Sequence, residues 1–182
     1  AVSESNDPLI GAFLASLDHN EMALQLIEGV EMQRDSLSRF LSPERYSLRP
    51  LHNFFFTRDA SISVSREVFI SNMANKVRER ESLIMCAIFD HHPLFKTTTQ
   101  KLEEGIYKCH KLTIEGGDVL VAREDILLIG IGSRTTPAGV DAIIEKLKKK
   151  PGRQHIIVHE LPREGESFIH LDMVFTFLNR HE

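Results

Sequence analysis

The chain has 182 residues, of which 42% are hydrophobic and 26% charged, with a formal net charge of -4 and a pI near 6.2. That length supports one sizeable core, and the acidic balance gives no reason to expect nucleic acid or an anionic membrane as partner. No apolar run approaches the roughly 20 residues that span a bilayer, and the opening AVSESNDP lacks the pattern of a signal peptide. Cys86 and Cys109 form no spaced metal pattern, so the expectation is a cytoplasmic protein with free thiols.

Leu14, Leu17, Leu24, Ile27, Val30 and Leu37 recur at roughly helical intervals, so residues 8–42 are expected to be mostly helical, starting at Asn6, Asp7 and Pro8. Pro43 and Pro50 end this region, and the division is placed at residues 1–50 and 51–182. Beyond Pro50 one pattern is written twice. SISV (61–64), a turn at Ser65 and Arg66, and EVFIS (67–71) form a predicted hairpin; a helix follows over Val77 to His91, with a strand near Ile106 to Cys109. DVLVA (118–122), a turn at 123–125 and ILLIGIG (126–132) repeat the hairpin. A helix then starts at Thr136 and Pro137 and runs into Lys148–Lys150, and HIIVHEL (155–161) returns as a strand. IHLDMVFTFL (169–178) has the alternation of a strand opening a third unit, with His170 and Asp172 on one face.

An acidic cluster precedes each hairpin position: FTRD (56–59), EGGD (115–118) and HLD (170–172). Asp59 and Asp118 stand 59 residues apart, Asp118 and Asp172 54. If the units surround a pseudo-symmetry axis, Asp59, Glu115, Asp118, His170 and Asp172 converge on it. Carboxylates packed together raise one another's pKa unless a cation sits among them. That cation is either a metal or an organic group such as guanidinium, whose planar donors suit paired carboxylates. Singly each motif has a plainer explanation: Gly-Gly-Asp is common turn chemistry, Arg58 and Asp59 can pair locally, and Arg78 in RERES resembles a charged helix surface. The coincidence across three positions is what points to a site.

HNFFFTRD, TIEGGDVLV followed by LLIGIGSRT, and IHLDMVFT resemble the signature segments of arginine deiminase, in order, over about Pro50 to Leu178. The resemblance implies an α/β fold, a partial pentein-type propeller of ββαβ units, with residues 1–50 as the end of an inserted helical domain. It implies a hydrolase converting L-arginine, or a related guanidino amino acid, to citrulline and ammonia through a Cys-thiouronium intermediate, with no metal or organic cofactor. Asp59 and Asp172 match the carboxylates that clasp the guanidinium, Glu115 the acid that holds the catalytic histidine, and His170 the general acid/base. Asn53, Arg78 and Arg134 match residues that hold the amino-acid end of the substrate, with Asp118 beside them as a further substrate-binding position. The family's nucleophile lies in a Gly-rich loop beyond HLD, and neither Cys86, in apolar LIMCAIF, nor Cys109, beside His110, fits that role. The expectation is therefore a fragment, inactive alone, that associates with the rest of the propeller or forms a homo-oligomer. Alternatives are a non-catalytic guanidine-binding module, an amidinotransferase-type relative and a divalent-metal hydrolase.

Overall fold

The computed structural model describes residues 9–97, 99–102, 111–149, 151–162 and 165–179. The chain divides into two compact units, Ala1–Phe55 and Phe56–Glu182. Among the described residues no helix is long and apolar enough to cross a membrane.

The first unit contains helices α1 (Ile10–Ser16), α2 (His19–Glu28) and α3 (Ser36–Leu41) and a short antiparallel pair, β1 (Val30–Glu31) and β2 (Tyr46–Leu48). Asp18 caps α2, its Oδ1 accepting the N–H groups of Asn20 and Glu21 at 2.8 and 2.9 Å, as exposed helix-start donors require. Gly29 ends α2 at φ 86°, and a Cβ there would lie 2.5 Å from the Leu48 carbonyl oxygen, so only glycine fits. Ile10, Leu14 and Leu48 form its small core. The predicted helix start at Asn6 to Pro8 lies outside the described residues.

In the second unit the doubled pattern is present. β3 (Ser61–Val64) and β4 (Glu67–Ile70) form an antiparallel hairpin, α4 (Glu79–His91) follows a 3-10 turn at Lys76–Arg78, and β5 (Thr99–Lys101) pairs parallel to β4. β6 (Val119–Arg123) and β7 (Ile126–Ile131) form the second hairpin; α5 (Pro137–Leu147) and parallel β8 (His155–Glu160) complete it. Thr136 caps α5, with Pro137 in the first helical position where no N–H is needed. Parallel pairing requires a crossover, and each helix supplies one. The strand predicted near Ile106 to Cys109 lies outside the described residues; Thr99–Lys101 is the strand beside β4. One core joins the two ββαβ units: Ile62, Val64 and Phe69 from the first, with Ile114, Val119, Leu127, Ile129 and Ile143 from the second. Each such side chain contributes about 1.5–3 kcal/mol by leaving water.

Residues 169–178 differ from the expected strand. They form a 3-10 turn at Leu171–Met173, after another at Glu166–Phe168, and residues 175–178 have no regular structure. The backbone is satisfied locally instead: Met173 N–H donates to the His170 carbonyl, and those of Val174 and Phe175 donate to that of Leu171. His170 and Asp172 therefore flank the start of a turn and do not share a strand face.

Candidate functional site

The site is assembled from the turns before β3 and β6 and the 3-10 turn at Leu171–Met173. Gly116 N–H donates to the Asp59 carbonyl at 2.9 Å, joining the 116–118 turn to the turn before β3. Leu171 N–H donates to Asp118 Oδ1 at 2.9 Å, bringing the third turn to the second. Close approach is possible because residue 117 is glycine: a Cβ there would lie 2.8 Å from both Asp59 Oδ1 and the His170 ring. Turns far apart in sequence, 53 residues between Asp118 and Leu171 and 55 between Glu115 and His170, are thus brought together.

His170 sits at the centre, 6% exposed. Its Nε2 is 2.8 Å from Glu115 Oε2, and its Nδ1 is 3.6 Å from Asp59 Oδ1. Burial disfavours its charged form, but the Glu115 hydrogen bond and the charges of Asp59, Asp118 and Glu115 win, raising its pKa above the ordinary value. Glu115 is fully buried; burial opposes its ionisation, yet the His170 bond, the Ala74 N–H at 2.9 Å on Oε1 and the Arg134 charge hold its pKa below normal. Thr135, also fully buried, accepts the Glu115 N–H at 3.2 Å.

Asp118 is sealed from solvent, its Oδ2 without a hydrogen-bond partner among the described residues, and burial pushes its pKa up to about 6. Its side chain serves the protein backbone at Leu171. Asp172 is partly exposed, pairs with Arg58 Nε at 3.0 Å, and is raised by burial against the pull of that arginine. Arg134 Nη1 lies 3.8 Å from Glu115 Oε1 with its side chain 24% exposed. Asn53 belongs to the first compact unit.

Arg78 is almost wholly buried. Its Nη1 donates to Asp59 Oδ2 at 2.8 Å and stands 3.8 Å from Glu115 Oε2, while Nε and Nη2 engage Glu81 at 2.7 to 3.1 Å. Sequence reasoning missed Glu81, Thr135 and the Arg58 pairing to Asp172. The signal for Glu81 was present: a carboxylate three residues after Arg78 at a helix start shares its face.

Ligand atoms of Asp59, Glu115 and His170 lie within 4.8 Å of one another, a spacing that could hold a metal. Arg78 already supplies a cation between two of them, so a planar organic cation fits the chemistry of this cluster as well as a metal does. Cys86 Sγ lies within hydrogen-bond distance of Asp90 and Thr99, not of the cluster. Cys109 and His110 lie outside the described residues.

The family model for arginine deiminase matches residues 14–182. The arginine deiminase of Listeria monocytogenes serotype 4b is 33% identical over 175 residues, covering 92% of this chain and 42% of the relative. That of Borrelia recurrentis is 30% identical over 184 residues, covering 96% and 44%. The chain thus spans less than half the length of these curated relatives. Among solved structures, the N-terminal domain of a cyanobacterial arginine dihydrolase, bound to substrate, matches at TM-score 0.52 and 26% identity over 68% of this chain and 42% of the other. A dimethylarginine dimethylaminohydrolase from Pseudomonas aeruginosa, complexed with citrulline, matches at TM-score 0.51 and 20% identity over 81% and 59%, a likeness of fold. The fold is a partial pentein-type α/β propeller, and its members among these neighbours act on or bind guanidine-derived amino acids. By motif, site and family match together, the chain belongs to the arginine deiminase family.

Proposed function

We propose that these residues form the guanidinium-binding and proton-transfer part of a cytoplasmic hydrolase that converts L-arginine to citrulline and ammonia. The observation that carries this reading is the buried set of His170 between Glu115 and Asp59, at 2.8 and 3.6 Å. Asp59 and Asp172 take the two sides of the substrate guanidinium, whose charge offsets theirs. His170, whose acidic neighbours favour its protonated form, gives its proton to the departing ammonia and then activates water. Glu115 fixes the ring and stabilises its charged form. Arg134, partly open, meets the α-carboxylate.

The reaction requires a thiolate that attacks the guanidinium carbon, expels ammonia and is itself released when water adds to the thiouronium. Cys86 is directed to Asp90 and Thr99, which favours a second reading for the 182 residues taken alone: they hold arginine without turning it over. The test is citrulline release. A protein carrying this stretch at the full length of its relatives should turn over arginine and lose at least about 10³-fold in rate on His170→Ala or Asp59→Ala. The 182-residue chain alone should release none. Turnover by the isolated chain that survives Cys86→Ser and Cys109→Ser together would overturn the covalent route.

A further inference from the structure

Asp59 and Asp172 come to the site from different turns, and Arg58 links them. It precedes Asp59 in the chain, in the turn that the Gly116 N–H fastens through the Asp59 carbonyl at 2.9 Å. Its Nη2 donates to the Val119 carbonyl at the start of β6, at 3.2 Å, and its Nε pairs with Asp172 Oδ2 at 3.0 Å. One side chain thus spans the first turn, the second hairpin and the third turn. Asp172 needs such a hold. It lies in a 3-10 turn and not in a strand ladder, and the tether of that turn to Asp118 runs through the Leu171 backbone, not through the Asp172 side chain. With its side chain 26% exposed, Asp172 is open to a ligand, and an unheld carboxylate there would sample several rotamers. A guanidinium is sensitive to that direction, because its paired N–H donors are fixed in one plane.

We infer that Arg58 is a positioning residue: anchored at the Val119 carbonyl, it fixes the direction of Asp172 so that Asp59 and Asp172 face one guanidinium at a set spacing. The inference rests on the guanidine reading of the site. Its effect has a distinctive sign. Arg58 is a cation beside a site for a cation, so by charge alone its removal would strengthen binding. Loss of orientation weakens it.

Arginine is titrated into the 182-residue chain while the His170 ring resonances are followed by NMR. Arg58 is half exposed, so variants at this position retain the fold. Arg58→Ala should weaken arginine about tenfold. Arg58→Lys, which keeps the charge but offers a single nitrogen, should restore part of the loss. In an Asp172→Asn background Arg58→Ala should change nothing further, since Arg58 acts through Asp172. Unchanged or tighter binding in Arg58→Ala overturns the inference, as does an equal loss in both backgrounds. If arginine does not shift His170 in the unaltered chain, the guanidine reading fails, and the ligand-free side-chain couplings of Asp172 decide the geometry. A single χ1 rotamer that becomes averaged in Arg58→Ala supports the positioning role. Averaging already present in the unaltered chain, or a rotamer unmoved by the substitution, overturns it.

Discussion

Gly117→Ala introduces one methyl group at the tightest point of the site. Its Cβ would lie 2.8 Å from Asp59 Oδ1, 2.8 Å from His170 Cγ and 2.9 Å from His170 Nδ1. Ordinary contact begins near 3.4 Å, so the ring must retreat by roughly half an ångström, and it cannot do so freely. His170 is bonded to Glu115 at 2.8 Å, and the next residue is tethered to Asp118 through its N–H. Overpacking of this kind costs about 1–3 kcal/mol, or a fall in Tm of roughly 2–12 °C at this chain length. Displacement also loosens the Glu115 bond, which heads the influences that raise the His170 pKa against burial. Urea denaturation and an NMR titration of His170 measure both effects on one sample: stability falls, and the His170 midpoint moves down. A variant with the midpoint unchanged and a stability loss below about 0.3 kcal/mol would refute the packing argument.

Asp118→Asn should stabilise the protein at neutral pH, by up to about 3 kcal/mol from a folded pKa near 6 against an ordinary 3.8. Because the folded value is raised, the penalty is absent below the unfolded pKa and complete above about 6, so denaturation curves of the two proteins should converge toward pH 4. The raised His170 pKa acts with the same slope: its stabilisation is full below its unfolded pKa and is lost as pH rises through the folded one, which Glu115→Gln should suppress. Thr136→Ala removes the α5 cap and hydroxyl contacts to Thr113 and Lys111, and should cost about 1–2 kcal/mol in denaturant melts. Arg58→Ala breaks a half-exposed pair with Asp172 and should change stability by less than about 1 kcal/mol, the change shrinking in high salt.

The two hairpins and their helices were legible because strand alternation, proline punctuation and the Thr136-Pro137 helix start are local signals, whereas β5 stands at Thr99–Lys101, a polar stretch without strand alternation. Convergence of Asp59, Glu115 and His170 was legible from repeat position, since pseudo-symmetry turns equal spacing in sequence into proximity in space. Ile169 to Leu178 misled because apolar alternation specifies a strand only where a neighbouring backbone offers partners; here local 3-10 bonds and Asp118 satisfy the chain instead. Glu81 was obscured for a different reason. A run such as RERES reads as a solvated helix face, and nothing in it reveals that Arg78, Arg80 and Glu81 are each under 5% exposed. Burial of charge depends on what packs over it, which one-dimensional spacing does not carry.

The central claim is that the buried cluster is built for a planar organic cation. NMR titration of the His170 ring in the 182-residue chain with guanidinium ion, at concentrations too low to denature, tests it directly. A saturable shift that is lost in Asp59→Asn is the predicted result. No response to guanidinium, together with a saturable response to zinc ion, would contradict the claim and assign Asp59, Glu115 and His170 to a metal.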